Sequence, residues 1–78
     1  MEKLTMAKFE SASNDFCSVF ELYVTADDTR FYRVQCYEQK TGGQYVDAYT
    51  FRMDTLADRK EAYIAAMAQH IKNIEMYC

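Results

Sequence analysis

Hydrophobic positions along the chain follow two periods, and the change falls near residue 54. Before it they alternate. After it they recur every three or four residues. Phe16, Phe20, Leu22 and Val24 share one face of a strand running from Phe16 to Ala26, with Val19, Glu21, Tyr23 and Thr25 on the other. A second strand, Arg30 to Gln39, sets Tyr32, Val34 and Cys36 against Phe31, Arg33, Gln35 and Tyr37. A third, Gln44 to Met53, puts Tyr45, Asp47, Tyr49, Phe51 and Met53 opposite Val46, Ala48, Thr50 and Arg52. Neither of its faces is cleanly apolar, so a bulge that turns Val46 and Phe51 both inward is one reading. Asp27-Asp28-Thr29 suits the first connection, and Thr41-Gly42-Gly43 the second, because glycine tolerates the positive φ of tight hairpins.

From Asp54 to Cys78 the spacing predicts one long helix. Ile64, Met67, Ile71, Ile74 and Cys78 form a stripe on a 3.6-residue period. Asp54 or Thr55 can cap its start, Asp58 suits the positive end of the helix dipole, and five alanines after Thr55 add propensity. Residues 1–15 read two ways. Their composition favours a short helix, with Met1, Leu4 and Lys8 on one face; an edge strand is the alternative, and Ser11 to Asp15 breaks either one.

The economical fold is α+β: a three-stranded antiparallel meander over residues 16–53, packed on one long C-terminal helix over 54–78. The N-terminal segment 1–15 adds a short helix or an extra edge strand. The helix stripe of Ile64, Met67, Ile71 and Ile74 is expected to fill the core. With 78 residues, this reads as a single small domain over 1–78 with a modest core.

Composition is that of a globular chain, with half the residues hydrophobic and 27% charged. No apolar run approaches the length of a membrane span, and the N-terminus lacks the pattern of a signal peptide. Cys17, Cys36 and Cys78 are odd in number and widely spaced, which suits reduced thiols and a cytoplasmic protein better than a disulfide framework. A net charge of −3 argues against non-specific binding to nucleic acid.

Candidate chemistry is sparse. The one histidine, His70, stands eight residues from Cys78 along the helix, about 12 Å away and beyond the reach of a Cys–His pair. No nucleophile elbow, phosphate-cradling loop or His-Glu-x-x-His motif is present. Asp27-Asp28 lacks the ligand spacing of a calcium loop, and the cysteines lack that of zinc. A non-enzymatic protein without cofactor or metal is the expectation.

Two surfaces remain. Tyr23, Tyr37, Tyr45 and Tyr49, with Glu21, Arg33 and Asp47 between them, form a candidate partner-binding set on the sheet; tyrosine and arginine are the residues of interface hot spots. Cross-strand pairing within a small sheet would account for single tyrosines equally well. On the helix flank, Tyr63, His70, Ile74 and Tyr77 form a candidate dimer face, and the chain would then be a homodimeric structural protein.

Arg59, Lys60, Ala62, Ala65 and Ala66, coming after three strands, resemble the last helix of double-stranded RNA-binding domains. That resemblance implies an α-β-β-β-α order and lysine-type contacts to phosphate. A meander followed by a helix is also similar to the arm-type DNA-binding domains of phage integrases, which would use Arg30, Arg33, Lys40 and Arg52 here. In size, acidity and simplicity the chain resembles the inhibitors that phages and mobile elements make against host defence, anti-CRISPR proteins among them. That implies a protein-binding module whose Glu21, Asp27, Asp28, Glu38 and Asp47 meet a basic partner surface.

Overall fold

The computed structural model describes residues 2–11, 15–39, 44–53 and 56–77, with the backbone alone at 44, 45, 56 and 57. The glycine turn at 41–43, the cap residues Asp54 and Thr55, and Cys78 lie outside the described residues. In chain order the elements are β1 (Glu2–Glu10), β2 (Phe16–Val24), β3 (Arg30–Glu38), β4 (Gln44–Met53) and α1 (Leu56–Met76). The strands form one antiparallel sheet in the order β1-β2-β3-β4, and α1 packs across β2, β3 and β4.

The N-terminal segment is therefore a strand, and no helix precedes the sheet. A nine-residue helix without a packed face is too short to hold itself together in water. As β1, the same residues give the outer edge of β2 a full hydrogen-bonded neighbour. The alternation that hides this strand in the sequence is broken at Met6. Leu4 pairs with Leu22 and Ala7 with Phe20, so one extra residue lies between them as a bulge. Leu4, Ala7 and Phe9 thus share the helix side of the sheet, and Lys3, Thr5 and Lys8 the other.

The first connection closes as the sequence suggests. Thr25 N–H donates to the Thr29 carbonyl and Asp28 N–H to the Thr25 carbonyl, Asp27 accepts from the Thr25 hydroxyl, and Asp28 takes a φ of 66°. Aspartate tolerates that left-handed conformation better than most residues with a Cβ. A second bulge, at Val46, resolves the ambiguity of β4. Tyr45 lies across from Tyr37 and Asp47 across from Cys36, so Asp47, Tyr49, Phe51 and Met53 face the helix. Phe51 does pack on the core, whereas Val46 is exposed.

The helix packs on a different face from the one its apolar stripe marks. Ile64 is 57% exposed and Ile71 48%. Ala62, Ala66, His70 and Asn73 are buried instead, and they meet Phe20, Tyr32 and Val34 from the sheet. The sheet supplies the volume and the helix supplies small residues, so the helix backbone comes close to the rings. Phe20 stacks on Tyr32 at 5.3 Å and meets Tyr63 edge-on at 5.6 Å. Each large side chain buried there contributes roughly 1.5–3 kcal/mol. Turning the stripe inward would carry Lys60 and Glu75, which lie on the same helical face, toward the sheet, and buried unpaired charge costs more than an exposed isoleucine.

Candidate functional site

The face of the sheet away from α1 carries Glu21, Tyr23, Arg33 and Tyr37, four of the seven residues of the candidate partner-binding set. Tyr45 occupies the matching backbone position on β4, while Asp47 and Tyr49 lie on the helix side. Asp47 accepts a hydrogen bond from the Tyr77 hydroxyl at 3.2 Å, and the nearby carboxylate raises the phenol's pKa. Plain alternation along β4 sets Asp47 and Tyr49 with Phe51, and the bulge at Val46 moves Tyr45 to the other side.

Register brings Tyr23 directly opposite Phe31, and the two rings stack at 5.0 Å, 3° from parallel. The Arg33 guanidinium lies 5.1 Å from the Tyr23 ring centre and 5.4 Å from that of Phe31. Cation–π attraction to two rings at once orients the planar fork before any ligand arrives. Beside it opens a cleft of about 620 Å³, lined by Thr25, Asp27 and Thr29 of the β2–β3 turn and by Phe31, Arg33, Thr50 and Arg52. Among the described residues neither Arg33 nor Arg52 forms an ion pair. Asp27 is the one acid among the described lining residues, and hydrogen bonds from Thr25 and Thr29 lower its pKa and engage its Oδ1. The cleft therefore offers two cations against one engaged carboxylate, which favours an anionic group.

Most acidic groups expected to meet a basic partner are already engaged. Glu21 is buried, 1% exposed, and its Oε2 lies 3.1 Å from Lys3 Nζ. Asp28 pairs with Arg30 at 3.3 Å, and Asp27 and Asp47 are held as described. Of these, Glu21 is the clearest correction: a carboxylate beneath its neighbours' side chains on an open sheet cannot lead an interface.

The candidate dimer face is also divided. Tyr63 and Ile74 stay on the flank of α1, but His70 and Tyr77 point at the sheet. His70 belongs to a buried polar chain. Gln69 donates to Asn73 at 2.9 Å, Asn73 donates to Ser18 Oγ at 3.4 Å, and Ser18 lies 2.8 Å from His70 Nδ1. Ser18 Oγ accepts from Asn73 and keeps both a lone pair and its hydrogen for His70 Nδ1, so the imidazole tautomer sets which of the two donates. Serine and histidine stand at the separation of a nucleophile and its base. Both are buried, however, with Ser18 wholly so, and a substrate could reach Oγ only if the helix left the sheet. The group acts as a polar key between α1 and β2. Its signal in the sequence is Ser18 falling between Phe16 and Phe20 on an otherwise apolar strand face.

Cys17 and Cys36 are buried on opposite sides of the sheet, so no disulfide can join them. The element order, β-β-β-β-α, departs in its first element from the α-β-β-β-α of the double-stranded RNA-binding domains. Comparison with family models, with curated proteins and with solved structures finds no match. The fold defines a small α+β protein with one sheet face that no element among the described residues covers, and no helix among them is long and apolar enough to cross a membrane.

Proposed function

We propose that the chain is a non-enzymatic protein-binding module that docks through the open face of its sheet, with Arg33 as the anchor for an acidic side chain of its partner. The observation that carries this reading is the Arg33 guanidinium held across Tyr23 and Phe31 at the edge of the cleft. A pre-oriented arginine loses little entropy on pairing with a carboxylate, and arginine with tyrosine is the composition of interface hot spots. Arg52, a diagonal neighbour on β4, adds a second donor within reach of the same acid. The partner's chemistry is accordingly acidic, in place of the basic surface expected from net charge alone. An inhibitor of a host protein is the finer form of this proposal, and size and the net charge of −3 are what support it.

Nucleic acid is the competing ligand for an open sheet with aromatic and basic residues. Bases need exposed ring faces on which to stack. Here Tyr23 and Phe31 use one face each on the other, and Arg33 lies over both. The test is a pull-down from host lysate, with and without nuclease, using the wild-type chain, Arg33→Gln and Arg52→Glu. A stoichiometric protein that survives nuclease and is lost from both variants supports the proposal. A partner retained by both variants, or nucleic acid lost on raising salt, overturns it.

A further inference from the structure

The side of the molecule that carries α1 is only half covered. A helix is about 10 Å across, whereas four strands spaced about 4.8 Å apart present a face nearly twice as wide. The residues of α1 that border the β4 side are Asp58, Glu61, Ala62 and Ala65, beside Phe51 and Arg52. Tyr63 lies over Phe20 and Tyr32. Met67 and Ile74 continue the flank past Tyr63, whereas Ile64 and Ile71 lie almost opposite the buried Ala66 and Asn73 around the helix and face away from the sheet. An exposed apolar stripe results along the outer face of α1.

We infer that a second copy of this chain covers that stripe, its α1 lying antiparallel across the first. The reason is the order of residues on the exposed flank. Lys60, Ile64, Met67, Ala68, Ile71 and Glu75 run along it at intervals of three and four, apart from the adjacent central pair. The series is symmetric about the Met67–Ala68 peptide. An antiparallel second helix sets Ile64 against Ile71, Met67 against Ala68, and Lys60 against Glu75, and each pairing occurs twice across the two-fold axis. A parallel helix would set Lys60 against Lys60 and Glu75 against Glu75. An isologous contact needs a self-complementary patch, and this one matches in both shape class and charge. The pairing covers Ile64 and Ile71 and leaves both open sheet faces outward. It is independent of the proposed docking at Arg33.

Sedimentation velocity on the isolated chain, between about 1 and 100 μM, reads the association. The expected species has twice the 9.2 kDa of one chain. Ile71→Asp, checked by circular dichroism for an unchanged fold, raises the dissociation constant at least about a hundredfold, because each dimer then buries two unpaired carboxylates. Lys60→Glu weakens the dimer about tenfold, and Lys60→Glu combined with Glu75→Lys restores it. A monomer across the whole range overturns the inference. So does a dimer indifferent to Ile71→Asp, or a charge reversal that the second reversal fails to rescue.

Discussion

Ala66→Leu and Ile64→Ala separate the observed packing from the one that the hydrophobic stripe suggests. Ala66 is wholly buried against Phe20, Tyr32 and Val34, with no space beside it for three more carbons. Forcing leucine into a packed site costs about 1–3 kcal/mol, more where the backbone cannot withdraw. Here the backbone is held by the Ser18–His70–Asn73 chain one turn further on, so the upper part of that range is expected. A chain of 78 residues has roughly 4–12 kcal/mol of stability in all. With an m-value of about 1 kcal/mol/M, the urea midpoint should fall by about 2–3 M. Ile64→Ala removes a side chain that is 57% exposed, and in a single chain should cost less than about 1 kcal/mol. Any larger loss should appear at high protein concentration and vanish on dilution, since association stabilises by mass action. The assay is urea unfolding followed by helix signal at two protein concentrations. An Ala66→Leu variant as stable as wild type, together with a loss above about 2 kcal/mol for dilute Ile64→Ala, would refute the reasoning and restore the apolar stripe to the core.

Two further outcomes follow from the buried polar groups. Burial holds the His70 pKa below its ordinary value, so the unfolded chain takes up the proton first as pH falls. Stability is therefore undiminished above about pH 6.5 and declines below it by up to about 1.4 kcal/mol per pH unit, until the folded pKa is reached. Urea midpoints between pH 7.5 and pH 5 read this, and His70→Gln should flatten the segment of the curve just below pH 6.5. A wild-type curve that does not steepen there removes His70 as its cause. Glu21→Lys breaks the Lys3 pair beneath the open face and leaves two cations together, at a cost of about 3–5 kcal/mol. Urea unfolding should show a midpoint lowered by about 3–5 M, and a variant with wild-type stability would contradict the burial of Glu21.

Much of the fold was legible along the chain because strand alternation and helical spacing are local. Phe16 to Val24 and Arg30 to Glu38 alternate without interruption, and both lie in the sheet with the expected faces turned to the helix. Where a bulge adds one residue, the alternation loses its phase. That is why β1 read as either a short helix or an edge strand and why β4 offered no clean face, although Leu4, Ala7 and Phe9 share a side once Met6 is set apart. Of the candidate docking set, Tyr23 and Arg33 were placed by parity alone. Their stacking with Phe31 needed the register of two strands, and the burial of Glu21 needed Lys3 from a third.

The sequence by itself determined that an apolar helix follows an aromatic sheet, because periodicity depends only on neighbours a few residues away. Which face of that helix turns inward was decided by tertiary structure. Packing weighs the whole interface: small Ala62 and Ala66 fit beneath large rings, and Asn73 and His70 find Ser18 across it. The isoleucine stripe that looked like core is left outside because the lysine and glutamate at its ends cannot be buried unpaired, and a second helix bearing the same stripe can satisfy both.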